Sequence, residues 1–250
     1  MKRVQGKVAV ITGGAAGVGR ACVLQLAAEG ARVVITDIDE ERGQTLARDI
    51  GEQAMFVRHD ISVEEDWRHV MASGQRFGPL GILVNNAGIY ATATIEETSL
   101  ELWRKLQRVN GEGTFLGCKY GLAAMRAAPS GSIINMSSTA ALSGMSTLAA
   151  YSATKGAITA LTRSVAAHCR QSGYRIRCNS IHPGGIATDM TRELRQTLGE
   201  AAKGFDDDPR AGFCDAADVA SMVTYLASDE SRFVNGAELR IDNALLVTCV

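Results

Sequence analysis

Seven short apolar runs, most of them rich in β-branched residues, recur along the chain with longer amphipathic stretches between them. "KVAVIT" comes before "GRACVLQLAAEG", "RVVITD" before "EERGQTLARDI", and "AMFVRHD" before "VEEDWRHVMAS". "GILVNN" leads into a long helical stretch around "LELWRKLQRVNGEGTFLGCKYGLAAM". "GSIINMSS", "RIRCNSIHP" and "AELRID" complete the series, with helices around Tyr151 and over "AADVASMVTYLASD". Strands that are apolar throughout need cover on both faces, and parallel neighbours need crossovers that helices supply. The expected class is therefore α/β, a doubly wound seven-stranded parallel sheet with helices on both faces. At 250 residues and 46% hydrophobic content, one domain over 1–250 can hold the core. Only the segment at about 185–214 breaks the rhythm, and a connection of that length is expected to be a substrate lid.

Charge and cysteine usage narrow the function. A formal net charge of -1, with no long basic run, lacks the footprint of a nucleic-acid binder and favours small-molecule partners. The six cysteines show no C-x-x-C spacing, which points to reduced packing thiols in a cytoplasmic setting. His59, His69 and His168 have no ligand spacing, so no metal is expected. The first apolar run is too short for a signal peptide, and no later segment stays apolar for the ~18 residues of a membrane span.

Between the first strand and first helix lies "TGGAAGVG", Thr12 to Gly19. Gly13, Gly17 and Gly19 would permit positive φ and close backbone approach, and the helix start at Val18 would offer unpaired N–H groups to a phosphate. The spacing departs from G-x-G-x-x-G, so the match to a dinucleotide turn is one of mechanism, and a tight turn without ligand is the alternative. Asp37 ends the second strand, where an acid meets the adenosine ribose hydroxyls of a Rossmann fold. Its charge would repel a ribose phosphate, and Ala15 and Ala16 offer no compensating cation, although Arg20 follows. NAD is expected over NADP. Alternatively Asp37 caps the helix starting near Asp39.

"AYSATKGAITA" sets Tyr151 and Lys155 at i and i+4, on one helical face. Alone, such a pair reads as a surface phenol beside a solvated ammonium; in context, the cation can make the phenol more acidic. "NNAG" (Asn85 to Gly88) and "NMSS" (Asn135 to Ser138) end the fourth and fifth strands, the sheet edge where ligands bind. With "TGGAAGVG", "NNAG", Asn110, Ser138 and "YSATK" in this order, the chain resembles the short-chain dehydrogenase/reductase family over nearly its whole length.

The resemblance implies that Tyr151 is the acid/base and that Lys155 lowers its pKa and holds the nicotinamide ribose. It implies that Ser138 orients the substrate oxygen and that Asn110 helps hold a water linking Lys155 to solvent. Asp60 and Ile61 match positions near the adenine ring, and Asn86, Ala87 and Gly88 the segment at the adenosine ribose. Asp60 is as readily a turn residue, and Asn86 could serve the sheet. In "IHPGGIAT", Pro183, Gly184, Ile186 and Thr188 resemble the segment meeting the nicotinamide carboxamide. His182, beside that proline, reads as structural.

"GEQAMFVRHDIS", "CRQSGYRIRCNSIHPGGIAT" and "ELRIDNALLV" are most similar to the bacterial 3-beta/17-beta-hydroxysteroid dehydrogenase branch. Two departures stand out: Gly185 replaces an aspartate of that branch, and Asp242-Asn243-Ala244 replaces a common D-G-G. The implied reaction interconverts a secondary alcohol and a ketone by hydride transfer, on a hydrophobic cyclic substrate such as a hydroxysteroid. Ile89, Tyr90, Leu142, Met145, Leu148, Met190 and Leu194 are the pocket candidates, or equally mutual packing; Arg192 and Arg195 could meet a substrate carboxylate. Two alternatives remain, a carbonyl or 3-oxoacyl-thioester reductase and a non-catalytic dinucleotide-binding regulatory protein. The apolar ending "ALLVTCV" and the resemblance together suggest a homotetramer.

Overall fold

Val8–Thr12 (β1) is buried along its whole length, as a strand covered on both faces must be. The other strands are β2 (Arg32–Asp37), β3 (Ala54–Arg58), β4 (Leu80–Asn85), β5 (Gly131–Met136), β6 (Ile176–Pro183), two short segments β7 (Gly185–Ile186) and β8 (Phe213–Cys214), and β9 (Glu238–Ile241). In this computed structural model, which describes residues 2–186 and 213–247, seven of them form one sheet in the order β3-β2-β1-β4-β5-β6-β9. Every pairing in that sheet is parallel. All seven expected strands are present, and the doubly wound parallel sheet follows from them. The order reverses direction between β1 and β4, so a crevice is expected where their carboxyl ends diverge.

Helices cover both faces. α1 (Gly17–Ala28) and α2 (Glu40–Ile50) lie on one face with α7 (Ala216–Ala227); Cys22, Val23 and Leu26 of α1 share a core with Val219, Ala220 and Val223. Each such Val or Leu, fully buried, contributes roughly 1.5–3 kcal/mol. On the other face α3 (Glu64–Gly74) and α5 (Gly113–Met125) pack with α6 (Ala149–Gln171) around Trp67, Val70, Cys118, Met125 and Cys169. Trp67 is fully buried, and its indole N–H donates to the Ile61 carbonyl at 2.8 Å, so the ring enters the core without an orphaned donor.

The long helical stretch expected before β5 is interrupted. A short α4 (Leu100–Leu106) runs into a π-helical turn, Gln107–Glu112, before α5 begins. The inserted residue of such a turn swings a side chain out of the regular helical array. Here it is Asn110 that faces inward, almost fully buried.

The expected lid at 185–214 lies mostly outside the described residues. Its two ends meet: β7 pairs in parallel with β8, Gly185 opposite Phe213 and Ile186 opposite Cys214. Gly185 has a packing reason, since a Cβ there would come within 2.6 Å of the Phe213 ring.

Candidate active site

The glycine turn is stitched to the end of β4. The Thr12 hydroxyl accepts from the amides of Asn86 and Ala87, both at 3.0 Å, while the Asn86 side-chain amide donates to the Thr12 carbonyl at 2.9 Å. Asn86 therefore joins two strand ends, as the reading that it serves the sheet allowed. Gly13 and Gly17 hold φ of 64° and 52°, where a side chain would be strained. A Cβ on Gly19 would be driven into the Gly13 carbonyl oxygen.

What the turn leaves open fits a dinucleotide pyrophosphate. Ala16 occupies the N-cap of α1 without a side-chain cap, and the first turn carries no acid. The first N–H groups of a twelve-residue helix are thus left for an anion, and the glycines let it approach. Gly19→Ala is expected to raise the dinucleotide dissociation constant at least ~10-fold and to lower the melting temperature, since overpacking costs about 1–3 kcal/mol. Calorimetric titration and thermal melting would measure both, and unchanged values would remove the turn from the binding site.

Asp37 does not cap α2; Asp39 does, accepting from the Arg42 amide at 3.0 Å. The Asp37 carboxylate instead accepts from the amides of Ala15 at 3.0 Å and Asp39 at 3.1 Å, which fixes it beside the glycine turn. Asp60 accepts from the Ser62 hydroxyl at 2.7 Å and amide at 2.9 Å. Partial burial works to raise its pKa, but these bonds and the nearby His59 and Arg108 prevail and lower it. Its neighbour Ile61 is buried against Gly113.

Three strand ends and α6 bring the remaining candidates together. Ser138 follows β5 and caps a short 3-10 turn, Thr139–Ala141; its hydroxyl accepts from the Ala140 amide at 3.1 Å and stands near enough to Tyr151 to lower the phenol's pKa. One turn further along α6, Lys155 is buried with its Nζ 5.5 Å from the Tyr151 ring centroid, donating to the Met136 carbonyl at 2.8 Å. A Cβ on Gly88 would lie 3.0 Å from Asn110 Oδ1 and 3.8 Å from Lys155 Nζ, so the "NNAG" segment backs the same cluster. The Asn110 amide exchanges bonds with the Ile89 main chain, accepting from its N–H at 2.8 Å and donating to its carbonyl at 2.9 Å, and also reaches the Thr154 hydroxyl at 3.2 Å. Asn110 thereby ties the segment after β4 to α6.

The acidity expected of Tyr151 is not what the protein alone produces. Burial pushes the phenol up to about 12; the nearby Ser138 hydroxyl opposes this and Tyr90 adds to it. Lys155 lies across the ring with its strongest bond spent on Met136, and burial brings its own pKa down to about 8. A cation made reluctant to stay charged gives less help than the i,i+4 spacing suggests.

The substrate-side candidates divide. Tyr90 packs edge-on against Tyr151, ring centroids 5.3 Å apart. Its segment is clamped, by Asn110 at Ile89 and by an Ala93 bridge to Leu148. Leu148 is buried in that bridge, Met145 is half-buried, and Leu142 is exposed. Pro183 ends β6, Gly184 donates to the Ile241 carbonyl at 2.9 Å, and Ile186 sits in β7. Thr188, Met190, Arg192, Leu194 and Arg195 lie outside the described residues. A crevice of about 230 Å³, lined by Val8, Met71, Pro79, Leu80 and Ala124, opens at the amino-terminal ends of β1 and β4, the wrong edge of the sheet for this chemistry.

Sequence reasoning missed Thr154 and Ser137. Thr154 is fully buried between Asn110 and the Tyr151 carbonyl, to which it donates at 2.7 Å. Ser137 donates to the Lys155 carbonyl at 3.0 Å, binding β5 to α6 directly under the site. The small residues in "YSATK" and "NMSS" were the available signal, since small polar side chains at a buried helix–strand contact usually carry bonds.

Residues 13–244 match the family model described as enoyl-(acyl carrier protein) reductase. The chain is 47% identical over 249 residues to a 3-beta-hydroxysteroid dehydrogenase of Comamonas testosteroni, covering 98% of this chain and 97% of the relative. It is 40% identical over 247 residues to an NADP-dependent (R)-specific alcohol dehydrogenase of Lentilactobacillus kefiri, covering 96% of each. A cyclopentanol dehydrogenase of Comamonas testosteroni is 37% identical over 256 residues, covering 97% of this chain and 98% of the relative. Taken with the parallel sheet, the glycine turn and the serine, tyrosine and lysine gathered at its carboxyl edge, these matches place the chain in the short-chain dehydrogenase/reductase family of oxidoreductases.

Proposed function

We propose that this protein is an NAD-dependent dehydrogenase that interconverts a secondary alcohol and a ketone on a hydrophobic cyclic substrate such as a hydroxysteroid. The observation that carries the reading is the grouping of Ser138, Tyr151 and Lys155 at the carboxyl edge of the sheet, with the Lys155 Nζ beside Gly88, on the same edge as an uncapped helix start. A bound nicotinamide dinucleotide would supply the hydride acceptor or donor. Gly13, Gly17, Val18 and Gly19 would take its pyrophosphate, and Asp37 its adenosine ribose. Thr12, Asn86, Ala87 and Gly88 would line the wall between, with Asp60 and Ile61 toward the adenine and Pro183, Gly184 and Ile186 toward the carboxamide.

Tyr151 carries the proton to or from the substrate oxygen. At neutral pH its raised pKa keeps it protonated, which suits it to donate during ketone reduction. In alcohol oxidation it must accept a proton, and the positive charge of Lys155 beside it stabilises the phenolate. Ser138 hydrogen-bonds the same oxygen as its charge changes. Asn110 holds Ile89 and Thr154, and so keeps the pocket wall in register with α6.

NAD is supported by Asp37, whose anchored carboxylate would accept ribose hydroxyls and repel a phosphate. The Lentilactobacillus kefiri relative is named NADP-dependent, which makes the cofactor comparison a sharp test. Steady-state rates with both cofactors, across 3β-hydroxysteroids, cyclopentanol, aliphatic alcohols and an acyl thioester ketone, are expected to favour NAD and the cyclic alcohols. A clear NADP preference would overturn the cofactor reading, and turnover of the thioester alone would overturn the substrate reading. The names of the Comamonas relatives support the cyclic class.

A homotetramer is supported by apolar side chains that a monomer would leave in water: Phe233 is 98% exposed and Val247 59%. Sedimentation at micromolar concentration should give four chains, and a monomer would contradict this. The five described cysteines are all free thiols, which suits a reducing, cytoplasmic setting.

A further inference from the structure

His182 is fully buried in β6, and the reaction outlined above makes no use of it. Its Nδ1 lies 3.1 Å from the Ser138 carbonyl oxygen, and its Nε2 lies 2.9 Å from the Ser180 hydroxyl. A carbonyl can only accept, so Nδ1 must carry the proton; Nε2 then accepts from the Ser180 hydroxyl. One tautomer satisfies both ring nitrogens. Burial keeps the imidazole below its ordinary pKa range, while the bond to Ser138 and the charge of Glu238 oppose this and Lys155 and Arg163 assist it. The ring is neutral at pH 7.

The consequence falls on Ser138. Its carbonyl accepts from His182 and from the Ala141 amide at 3.0 Å, and the preceding residue is tied through the Ser137 amide to the Ile181 carbonyl at 2.8 Å. The backbone on both sides of the Ser138 side chain is therefore fixed from β6. With that backbone held, the hydroxyl has few positions open to it: it accepts from the Ala140 amide at 3.1 Å and stands near enough to Tyr151 to act on the phenol. We infer that His182 is a positioning residue for the reaction, acting through the Ser138 main chain to aim the serine hydroxyl at the substrate oxygen. The inference rests on the catalytic reading of Ser138.

Asparagine can place its amide nitrogen where Nδ1 stands, whereas phenylalanine fills the space without a donor. With NAD and the most active alcohol of the panel above, His182→Phe is expected to lower kcat about tenfold, the effect of one lost hydrogen bond, while leaving the NAD dissociation constant unchanged. His182→Asn should recover most of that loss. In a Ser138→Ala background the His182→Phe loss should shrink below about twofold, because the two residues act as one unit. Wild-type kcat in folded His182→Phe, or an undiminished loss in the Ser138→Ala background, would overturn the inference. If His182→Phe does not fold, Ser180→Ala takes its place and should lower kcat several-fold with the same coupling; no change would refute the positioning role. Full turnover in Ser138→Ala, or no turnover of any alcohol by the wild type, would instead strike the catalytic reading itself, and this inference with it.

Discussion

Tyr151→Phe is expected to reduce turnover ~10²–10⁴-fold, the usual contribution of a positioned acid or base, while leaving dinucleotide affinity and melting temperature essentially unchanged. The ring stays, so its edge-on contact with Tyr90 at 5.3 Å and the contact with Lys155 stay with it. Only the hydroxyl, which stands near Ser138, is lost. Rapid-mixing rates of reduced nicotinamide formation, beside a calorimetric titration with NAD, would separate the two effects. Turnover within a few-fold of wild type would mean that another group handles the proton. Loss of NAD affinity in parallel would mean that the variant had damaged the fold of the site.

Lys155→Met is expected to stabilise the protein in the absence of dinucleotide while removing most of its activity. Burial brings the folded-state pKa of Lys155 to about 8, against 10.5 for an ordinary lysine. Below pH 8 both folded and unfolded chains carry the proton, so the full cost of holding an ammonium in the interior is felt, about 3 kcal/mol. Between pH 8 and 10.5 the folded protein sheds that proton while the unfolded chain keeps it, and the cost fades. Wild-type stability should therefore rise relative to Lys155→Met across that interval. Cys22, raised to about 12 by burial, adds an opposite slope above pH 9, but it is common to both proteins and cancels in the difference. Urea unfolding at several pH values would show the convergence. A variant less stable than wild type at pH 7 would mean that the bond to the Met136 carbonyl outweighs the cost of the buried charge. The pairing of lost activity with gained stability follows from a charge kept in a poor environment because the chemistry needs it.

The legible parts of the fold were those written in local pattern. Apolar runs such as "VAVIT" and "RVVITD" read as covered strands, and they pair as β1 and β2 in register from Val8 opposite Arg32. The site clustering followed from topology, because the ends of β1, β4 and β5 must share the carboxyl edge of a parallel sheet. Less visible was the break between α4 and α5. The helical period runs through "LQRVNGEG" without interruption, and the π-helical turn appears only once Asn110 finds the Ile89 main chain, 21 residues away. Burial was equally hidden. The Tyr151–Lys155 spacing promised a more acidic phenol, yet burial raises the phenol's pKa, and burial is not written in a local spacing. His182 reads as structural from its place beside a proline at a strand end; its partner, the Ser138 carbonyl, is 44 residues away and leaves no local trace.

A crystal structure of the protein with NAD and a bound cyclic ketone tests the central claim most directly. The Tyr151 hydroxyl and the Ser138 hydroxyl are both expected within about 3 Å of the ketone oxygen, with the reactive face of the nicotinamide against the carbonyl carbon. A dinucleotide lying along the glycine turn with the ketone oxygen bonded to some other group, and Tyr151 directed away from it, would contradict the account.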